Sequence, residues 1–279
     1  MKKYYFPLVV MLLSISIGCK KYNDPLPPEQ PPLPLPNDDI RTVLLKDIDA
    51  QSLPGPYYHF TYDSLHHVKQ INFASGFAVY DVEYKNKRVS MMTNRINDNV
   101  FIYHYSNTQV TEINEFSGPI LNKTFSYRLS YNSSNQLSQV NWVFFSSNGA
   151  QDTVKKEVLT YFPTGNLAAM DHYYSTAPGQ PLELSSREEF SDYDNQLNVD
   201  DFSVLKHDFF AAYLFLPQVR LQKNNPRRQH IISAENEYEI IYSYQYQNGL
   251  PISKTGIVTQ KRGIVIEAPK TVSTQFSYY

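Results

Sequence analysis

The chain has 279 residues, with 25 basic against 27 acidic side chains and a formal net charge of −2. That length suits one large β domain or two ordinary ones, and the mildly acidic balance excludes the basic surface that nucleic acids require. A single cysteine leaves no intramolecular disulfide to form, while 23 tyrosines and 16 phenylalanines against only 10 glycines favour pleated, half-buried strands.

The first element in chain order is an address. Lys2 and Lys3 precede an apolar run from Phe6 to Ile17, and Gly18 sets a small residue directly before Cys19. This is the layout of a bacterial lipoprotein signal over residues 1–18, with cleavage before Cys19 and acyl chains on its thiol and new amino group. The run is too short for a transmembrane helix, which needs roughly 20 residues. Ser16 stands where such signals usually carry leucine, so an ordinary cleaved signal is the alternative. The expected location is the outer membrane of the cell envelope, lipid-anchored. Lys20-Lys21-Tyr22-Asn23 delays the first acidic residue to Asp24 and leaves the side of the membrane open.

Residues 19–39 read as a linker. Pro25 to Pro36 carries seven prolines in twelve positions, which favours a polyproline II spacer reaching on the order of 35–40 Å. A stalk between membrane and folded domain is the simplest use of it.

From residue 40 to 279 the pattern is that of one β domain. A repeat runs through it: an aromatic, a polar turn, then an aliphatic residue. It appears in Tyr62-Asp63 to Ile71, Tyr84 to Val89, Tyr105 to Ile113, Tyr131-Asn132 to Val140, Tyr161 to Met170, Tyr193-Asp194 to Leu197 and Tyr246 to Ile252. Turn residues between apolar-alternating runs predict hairpins. The runs alternate as strands do: Phe125, Tyr127, Leu129 and Tyr131 share one face, as do Val140, Trp142 and Phe144. Tyr238, Ile240, Tyr242, Tyr244 and Tyr246 line another, either as core packing or as a platform for stacking sugars. Between Asp200 and Leu216 the pattern changes. Phe202, Leu205, Phe209 and Tyr213 recur at helical spacing, with Asp200 or Asp201 as N-cap and Pro217 as stop, and predict a helix near 201–216.

These residues carry a resemblance over roughly Leu44 to Tyr279. The Tyr-Asp/Asn-x-x-x-x-Leu-x-x-Ile pattern resembles the YD repeats of large bacterial surface proteins. The whole layout is similar to Bacteroidetes lipoproteins whose domain of unknown function is described as porin-like. Leu221-Gln222-Lys223-Asn224-Asn225-Pro226 matches a Lys-Asn-Asn-Pro turn of that family, with Gln222 in place of a serine. The resemblance implies a mainly β fold, an antiparallel meander of hairpins curled toward an open barrel. It implies no activity and offers no catalytic residues.

Motifs of chemistry are scarce. The sequence has no phosphate-binding glycine loop, nucleophile elbow, zinc-binding His-Glu-x-x-His or paired cysteine ligands, so neither cofactor nor metal is expected. His66 and His67 read as solvent-facing turn residues, and Arg227 and Arg228 as a solvated turn. Asp171-His172 and His207-Asp208 have the right types for an orienter and a base but lack a nucleophile. Glu188, Glu189, Asp192 and Asp194 form the one carboxylate cluster, with alternation setting Glu188, Asp192 and Asp194 on one side. Two carboxylates about 5–9.5 Å apart suffice for glycoside hydrolysis; a solvated strand edge is the plainer reading. The leading expectation is therefore a non-catalytic lipoprotein, a β domain on a stalk that binds a glycan or another envelope protein or is structural. A polysaccharide hydrolase using the 188–194 carboxylates is the alternative, and an integral outer-membrane barrel is a weaker third.

Overall fold

Alternating strands joined by short polar turns can close on themselves only if the first and last strands pair. In the computed structural model they do. It describes residues 42–118, 121–177, 179–199, 204–206, 213–264 and 266–279; the signal, Cys19, the proline-rich linker and the His207-Asp208 pair lie outside the described residues. The strands in chain order are β1 (Leu45–Ala50), β2 (Tyr58–Tyr62), β3 (Val68–Phe73), β4 (Ala78–Lys85), β5 (Arg88–Asn94) and β6 (Val100–Ser106). There follow β7 (Gln109–Ser117), β8 (Asn122–Tyr131), β9 (Leu137–Phe145), β10 (Gln151–Tyr161), β11 (Leu167–Ser175) and β12 (Leu182–Ser191). Then come β13 (Val204–Lys206), β14 (Tyr213–Phe215), β15 (Arg228–Ser233), β16 (Glu237–Gln247), β17 (Leu250–Arg262) and β18 (Lys270–Tyr278). All but β13 and β14 form one antiparallel meander, closed into a barrel of sixteen strands by the β1–β18 pairing. There Ile48 faces Phe276 and Ala50 faces Thr274. The expected open barrel is thus a closed one, because residues from opposite ends of the chain complete the ladder.

The repeat gains a physical meaning here. Its Asp or Asn closes the turn: Asp63 Oδ1 accepts from the Leu65 and His67 amides, and Asn132 Oδ1 from those of Ser134 and Gln136. Left-handed residues such as His66 (φ 66°) and Asn135 (φ 61°) then reverse the chain. Each tyrosine reaches back to the strand that began the previous repeat. Tyr62 donates to the Leu45 carbonyl at 2.7 Å, Tyr84 to Val68 at 3.0 Å, and Tyr105 to Val89 at 2.9 Å. Tyr131 donates to Val110 at 2.9 Å, Tyr161 to Leu137 at 2.8 Å, and Tyr193 to Leu167 at 2.7 Å. Each such bond contributes about 1 kcal/mol, and together they staple neighbouring hairpins at one end of the barrel. Tyr246 departs from the rule and donates to the Asp194 carboxylate.

The interior is packed. Trp142, Tyr80, Tyr127, Phe60, Phe101 and Met92 are among its fully buried side chains, and the Tyr127 and Trp142 rings meet edge to face at 4.7 Å. Such pairs add about 0.5–1.5 kcal/mol beyond burial. The outer wall carries cross-strand polar pairs, His59–Asp47 at 2.6 Å, Gln70–Asp81 at 2.8 Å, Arg187–Asp171 at 2.9 Å, His230–Glu237 at 2.9 Å and Lys261–Glu239 at 2.8 Å, with Ile102, Leu184, Ile241 and Ile257 exposed among them.

The helix expected near 201–216 is not formed where the chain is described. Val204–Lys206 and Tyr213–Phe215 pair as an antiparallel ribbon, β13 with β14; residues 201–203 and 207–212 lie outside the described residues. Leu214, Phe215 and Leu216 are all 0–1% exposed. A helix buries one stripe, whereas an extended segment thrust into a core is enclosed on every side. This excursion between β12 and β15 belongs to the barrel's hydrophobic core, and the Tyr103 hydroxyl donates to the Phe215 carbonyl at 2.7 Å.

The chain returns to the wall through the Lys-Asn-Asn-Pro turn, which is a lock. Asn166 Oδ1 accepts from the amides of Lys223 and Asn224 at 2.8 and 3.0 Å. Asn198 donates to Gln222 Oε1 at 3.0 Å, and Asn225 to Asp194 Oδ1 at 3.2 Å. Asn166, Asn198 and Asn225 are buried, so their amides do for an irregular segment what a ladder does for a strand. Gly165 makes room for it: at φ +88°, a Cβ there would lie 2.5 Å from Lys223 Nζ.

Candidate functional site

Strand alternation decides what each expected site residue can do. Glu188 faces inward and Glu189 outward, where Glu189 pairs with Arg187 at 2.8 Å. Asp192 lies in the turn leaving β12 with φ 56°, 3.6 Å from Arg228. Asp194 belongs to the asparagine lock: its Oδ1 accepts from the Gln196 and Asn225 amides, and its Oδ2 accepts from the Tyr246 hydroxyl. Desolvation, followed by the neighbouring Asp194 carboxylate, pushes the Tyr246 phenol above its ordinary value. The expected grouping of Glu188, Asp192 and Asp194 on one side does not form, because the turn at Asp192 breaks the alternation after β12.

Asp171 and His172 part in the same way. Asp171 points outward to Arg187, and His172 points inward to a different set of partners. Its Nδ1 lies 3.4 Å from Glu157 Oε1, and its Nε2 is 3.2 Å from Glu188 Oε1 without hydrogen-bond alignment. Lys155 Nζ approaches the same Glu157 oxygen at 3.1 Å and lies 4.8 Å from the centre of the Trp142 ring, whose Nε1 donates to Glu157 Oε2 at 3.3 Å. Gln229 donates to Glu188 at 2.7 Å and accepts from Tyr242 at 2.5 Å. Two cations and two carboxylates thus form a neutral seam along the inner wall from β9 to β16. Lys155 and Glu157 are 3% and 2% exposed.

Burial alone would pull the His172 imidazolium down; the Glu157 and Glu188 carboxylates reverse this and hold its pKa up at about 9. For Glu157 burial works upward, but His172 and Lys155 hold its carboxyl below the ordinary range. A histidine protonated at neutral pH and clasped by two carboxylates is a poor general base. The seam is an ion network built into the wall. A second buried acid, Glu115, accepts from Asn99 at 2.7 Å and from the Tyr127 hydroxyl, and burial pushes its carboxyl up.

The remaining candidates resolve locally. His66 is exposed in its turn. His67, expected to face solvent, is only 4% exposed, because the reversal at His66 folds it onto the Tyr84 ring at 4.8 Å with Nδ1 3.0 Å from Asp63. Arg228 is exposed between Asp192 and Glu239, and Arg227 is exposed too. The tyrosines at 238, 242, 244 and 246 are half-buried, since none of the fully buried members of the core cluster comes from β15–β17. Among the described residues no group of three or more His, Cys, Asp or Glu could hold a metal, and no helix is long and apolar enough to cross a membrane.

Concave space lies instead at the stapled end of the barrel. A cleft of about 830 Å³ opens between the 105–110, 131–137 and 161–165 turns and the 217–223 segment. Tyr131 and Tyr161 line it, together with the amides of Gln109, Asn132 and Asn135. The sequence signal was present, since these are the repeat turns. What was missing is that the excursion after β12 folds over them.

No protein-family model matches this chain, and no curated protein matches it significantly. Among solved structures it is similar to a porin-like protein from Bacteroides uniformis ATCC 8492, at 14% identity and a TM-score of 0.53, over 80% of this chain and 89% of that one. It is also similar to a porin-like protein from Bacteroides vulgatus ATCC 8482, at 11% identity and a TM-score of 0.56, over 85% of this chain and 99% of that one. The shared feature is the fold, and the mainly β, antiparallel architecture expected from the sequence is the one formed.

Proposed function

We propose that the chain is a non-catalytic envelope lipoprotein, held by acyl chains on Cys19, whose barrel stands in water on the proline-rich stalk and recognises a partner at its stapled end. The observation that carries this reading is the polarity of the outer wall. A barrel embedded in lipid turns an apolar band outward, and each Arg or Lys at the bilayer midplane costs it about 2–4 kcal/mol. Here outward positions carry Arg187, Arg228 and Lys261 in cross-strand ion pairs, while the buried aromatic residues belong to the interior. The non-catalytic part rests on the carboxylates: Asp194 is bonded at both oxygens, and Glu188 is taken up by His172 and Gln229.

Cys19→Ala tests the anchor and the water-standing barrel together. The wild-type protein is expected in the membrane fraction and the variant, with residues 1–18 exchanged for an ordinary cleavable secretory signal so that it is cut but not acylated, in the soluble envelope fraction. A variant that stays in the membrane and extracts only with detergent would mean that the barrel itself is the membrane part.

A further inference from the structure

Resting on the reading of the chain as an anchored barrel, we infer that the end opposite the staples docks on the bilayer that holds the anchor, through apolar residues at its loop tips. In an antiparallel meander the connections alternate between two ends. The repeat turns and the start of β1 share the stapled end, since Tyr62 reaches Leu45 there. The connections β1–β2, β3–β4, β5–β6, β7–β8, β9–β10, β11–β12, β15–β16 and β17–β18 share the other.

Exposed apolar side chains gather on one part of that far rim. Leu53, Phe77, Ile96, Leu121, Ile264 and Ile266 are between 48% and 93% exposed. They occupy the β1–β2, β3–β4, β5–β6, β7–β8 and β17–β18 connections, which are consecutive around the barrel because β18 pairs with β1. The described residues of the other three connections expose no large apolar side chain. The rim is thus apolar along one arc and polar along the rest, which singly scattered surface hydrophobics would not produce.

Two observations make lipid the partner of this arc. Its apolar groups are separate knobs on separate turns; a fluid surface accepts each of them, whereas a protein needs a matched pocket for each. The backbone at the tips is also satisfied from within. The Leu53, Phe77 and Leu121 amides donate to the carbonyls of Ala50, Ala74 and Gly118 at 3.1, 3.3 and 3.0 Å, and the Ile96 amide donates to Asn94 Oδ1 at 2.9 Å. A turn that leaves water for an acyl boundary must hold its own N–H groups in this way. Charges beside the tips are paired, Arg95 with Asp81 at 2.6 Å and Lys270 with Glu267, so the attraction is apolar.

The stalk is long enough. Strands β8–β11 have nine to eleven residues, which makes the barrel about 25 Å high once they tilt. A proline-rich spacer of about 35–40 Å exceeds that height, so a chain entering at the stapled end still brings the far rim to the membrane. Docking of this kind leaves the wall in water and turns the cleft toward partners.

Fluorescence of the full acylated chain in phosphatidylethanolamine–phosphatidylglycerol vesicles tests this. Ile264→Trp adds a reporter at a tip, while Trp142, fully buried, gives a constant background. Brominated acyl chains are expected to quench Ile264→Trp and to spare Leu65→Trp, a reporter on the β2–β3 turn of the stapled end. The mature Cys19→Ala chain, without acyl groups, is expected to partition onto the same vesicles at millimolar lipid, as reversibly as one acyl chain would, and to be lost from membranes when cells are fractionated. Ile264→Ser with Ile266→Ser should weaken that partition about tenfold or more. Ile96→Ser gives the same reading should the double variant melt early, and Leu184→Ser, on the wall, should change nothing. Equal quenching of both reporters, no quenching, equal weakening by Leu184→Ser, or partition abolished by salt would each overturn the assignment. A dimer that the double variant dissolves, with no vesicle binding, would give the arc to a second copy instead. An acylated chain that stays on the vesicles unquenched sinks the docking and leaves the anchor intact; if Cys19 carries no acyl chain, partition of the unacylated chain still decides the role of the tips.

Discussion

Glu157→Gln is expected to destabilise the barrel by about 3–5 kcal/mol, the usual cost of leaving buried charges without their counter-ion. Against a typical domain stability of 5–15 kcal/mol that is a large shift of the urea midpoint. The reason is geometric. One Glu157 oxygen faces both Lys155 at 3.1 Å and His172 at 3.4 Å, and the other accepts from Trp142. A glutamine keeps the volume and an acceptor but leaves two cations in the wall with only Glu188 to offset them. The pH dependence should change as well. His172, raised to about 9 from an ordinary 6.5, contributes stability that is complete below about 6.5 and lost as pH rises toward 9. Glu157, lowered from 4.5, contributes stability present above that value and lost as pH falls through its folded pKa. Wild-type protein is therefore expected to be most stable between about pH 4.5 and 6.5, and Glu157→Gln to flatten both flanks. Equal midpoints for the two proteins across pH 5–9 would show that the seam is not an ion network.

Phe215→Ala is the second large effect, also expected at about 3–5 kcal/mol with little change in the slope against urea. It separates two readings of the same segment. On a helix whose apolar stripe is Phe202, Leu205, Phe209 and Tyr213, Phe215 falls on the opposite, wet face, and truncation would cost less than about 0.5 kcal/mol. In the ribbon Phe215 is 1% exposed and sits in the barrel core beside Leu214 and Leu216. A near-neutral Phe215→Ala would restore the helix.

What the sequence made legible and what it hid follow from the range of each interaction. Alternation is local, so the inward faces of β8 and β9 could be read directly, and Phe125, Tyr127, Val140 and Trp142 are all buried there. The turn repeats are local too. The acceptor of each repeat tyrosine is not, lying 16 residues back for Tyr84 and 26 for Tyr193, so the sequence showed these tyrosines only as the aromatics that precede each turn. Closure depended on pairing residue 48 with residue 276, which no local pattern carries. The misread helix shows propensity overridden by tertiary burial: the spacing of Leu205, Phe209 and Tyr213 fits a helix, but the run Leu214-Phe215-Leu216 is apolar at every position, as an enclosed strand is.

The ion network had a signal that went unread. Lys155 and Glu157 fall in phase with Leu159 on β10, so alternation alone would set two charges on the apolar face. Charges in that phase require partners, and His172 on the paired strand, opposite Glu157, was the available one. The candidate cleft was the least legible part. Its turn wall is written in the repeats, but its other wall, 217–223, arrives from an excursion whose path only the folded barrel reveals.

The central claim is that this barrel keeps its polar face outward, in water. Size-exclusion chromatography with multi-angle light scattering, on a chain beginning at Asn37 in the presence and absence of detergent micelles, addresses it most directly. A water-standing barrel elutes as a monodisperse species in plain buffer and carries no bound detergent in micelles. Aggregation without detergent, together with a detergent belt bound around the protein in micelles, would mean that the outer wall faces lipid.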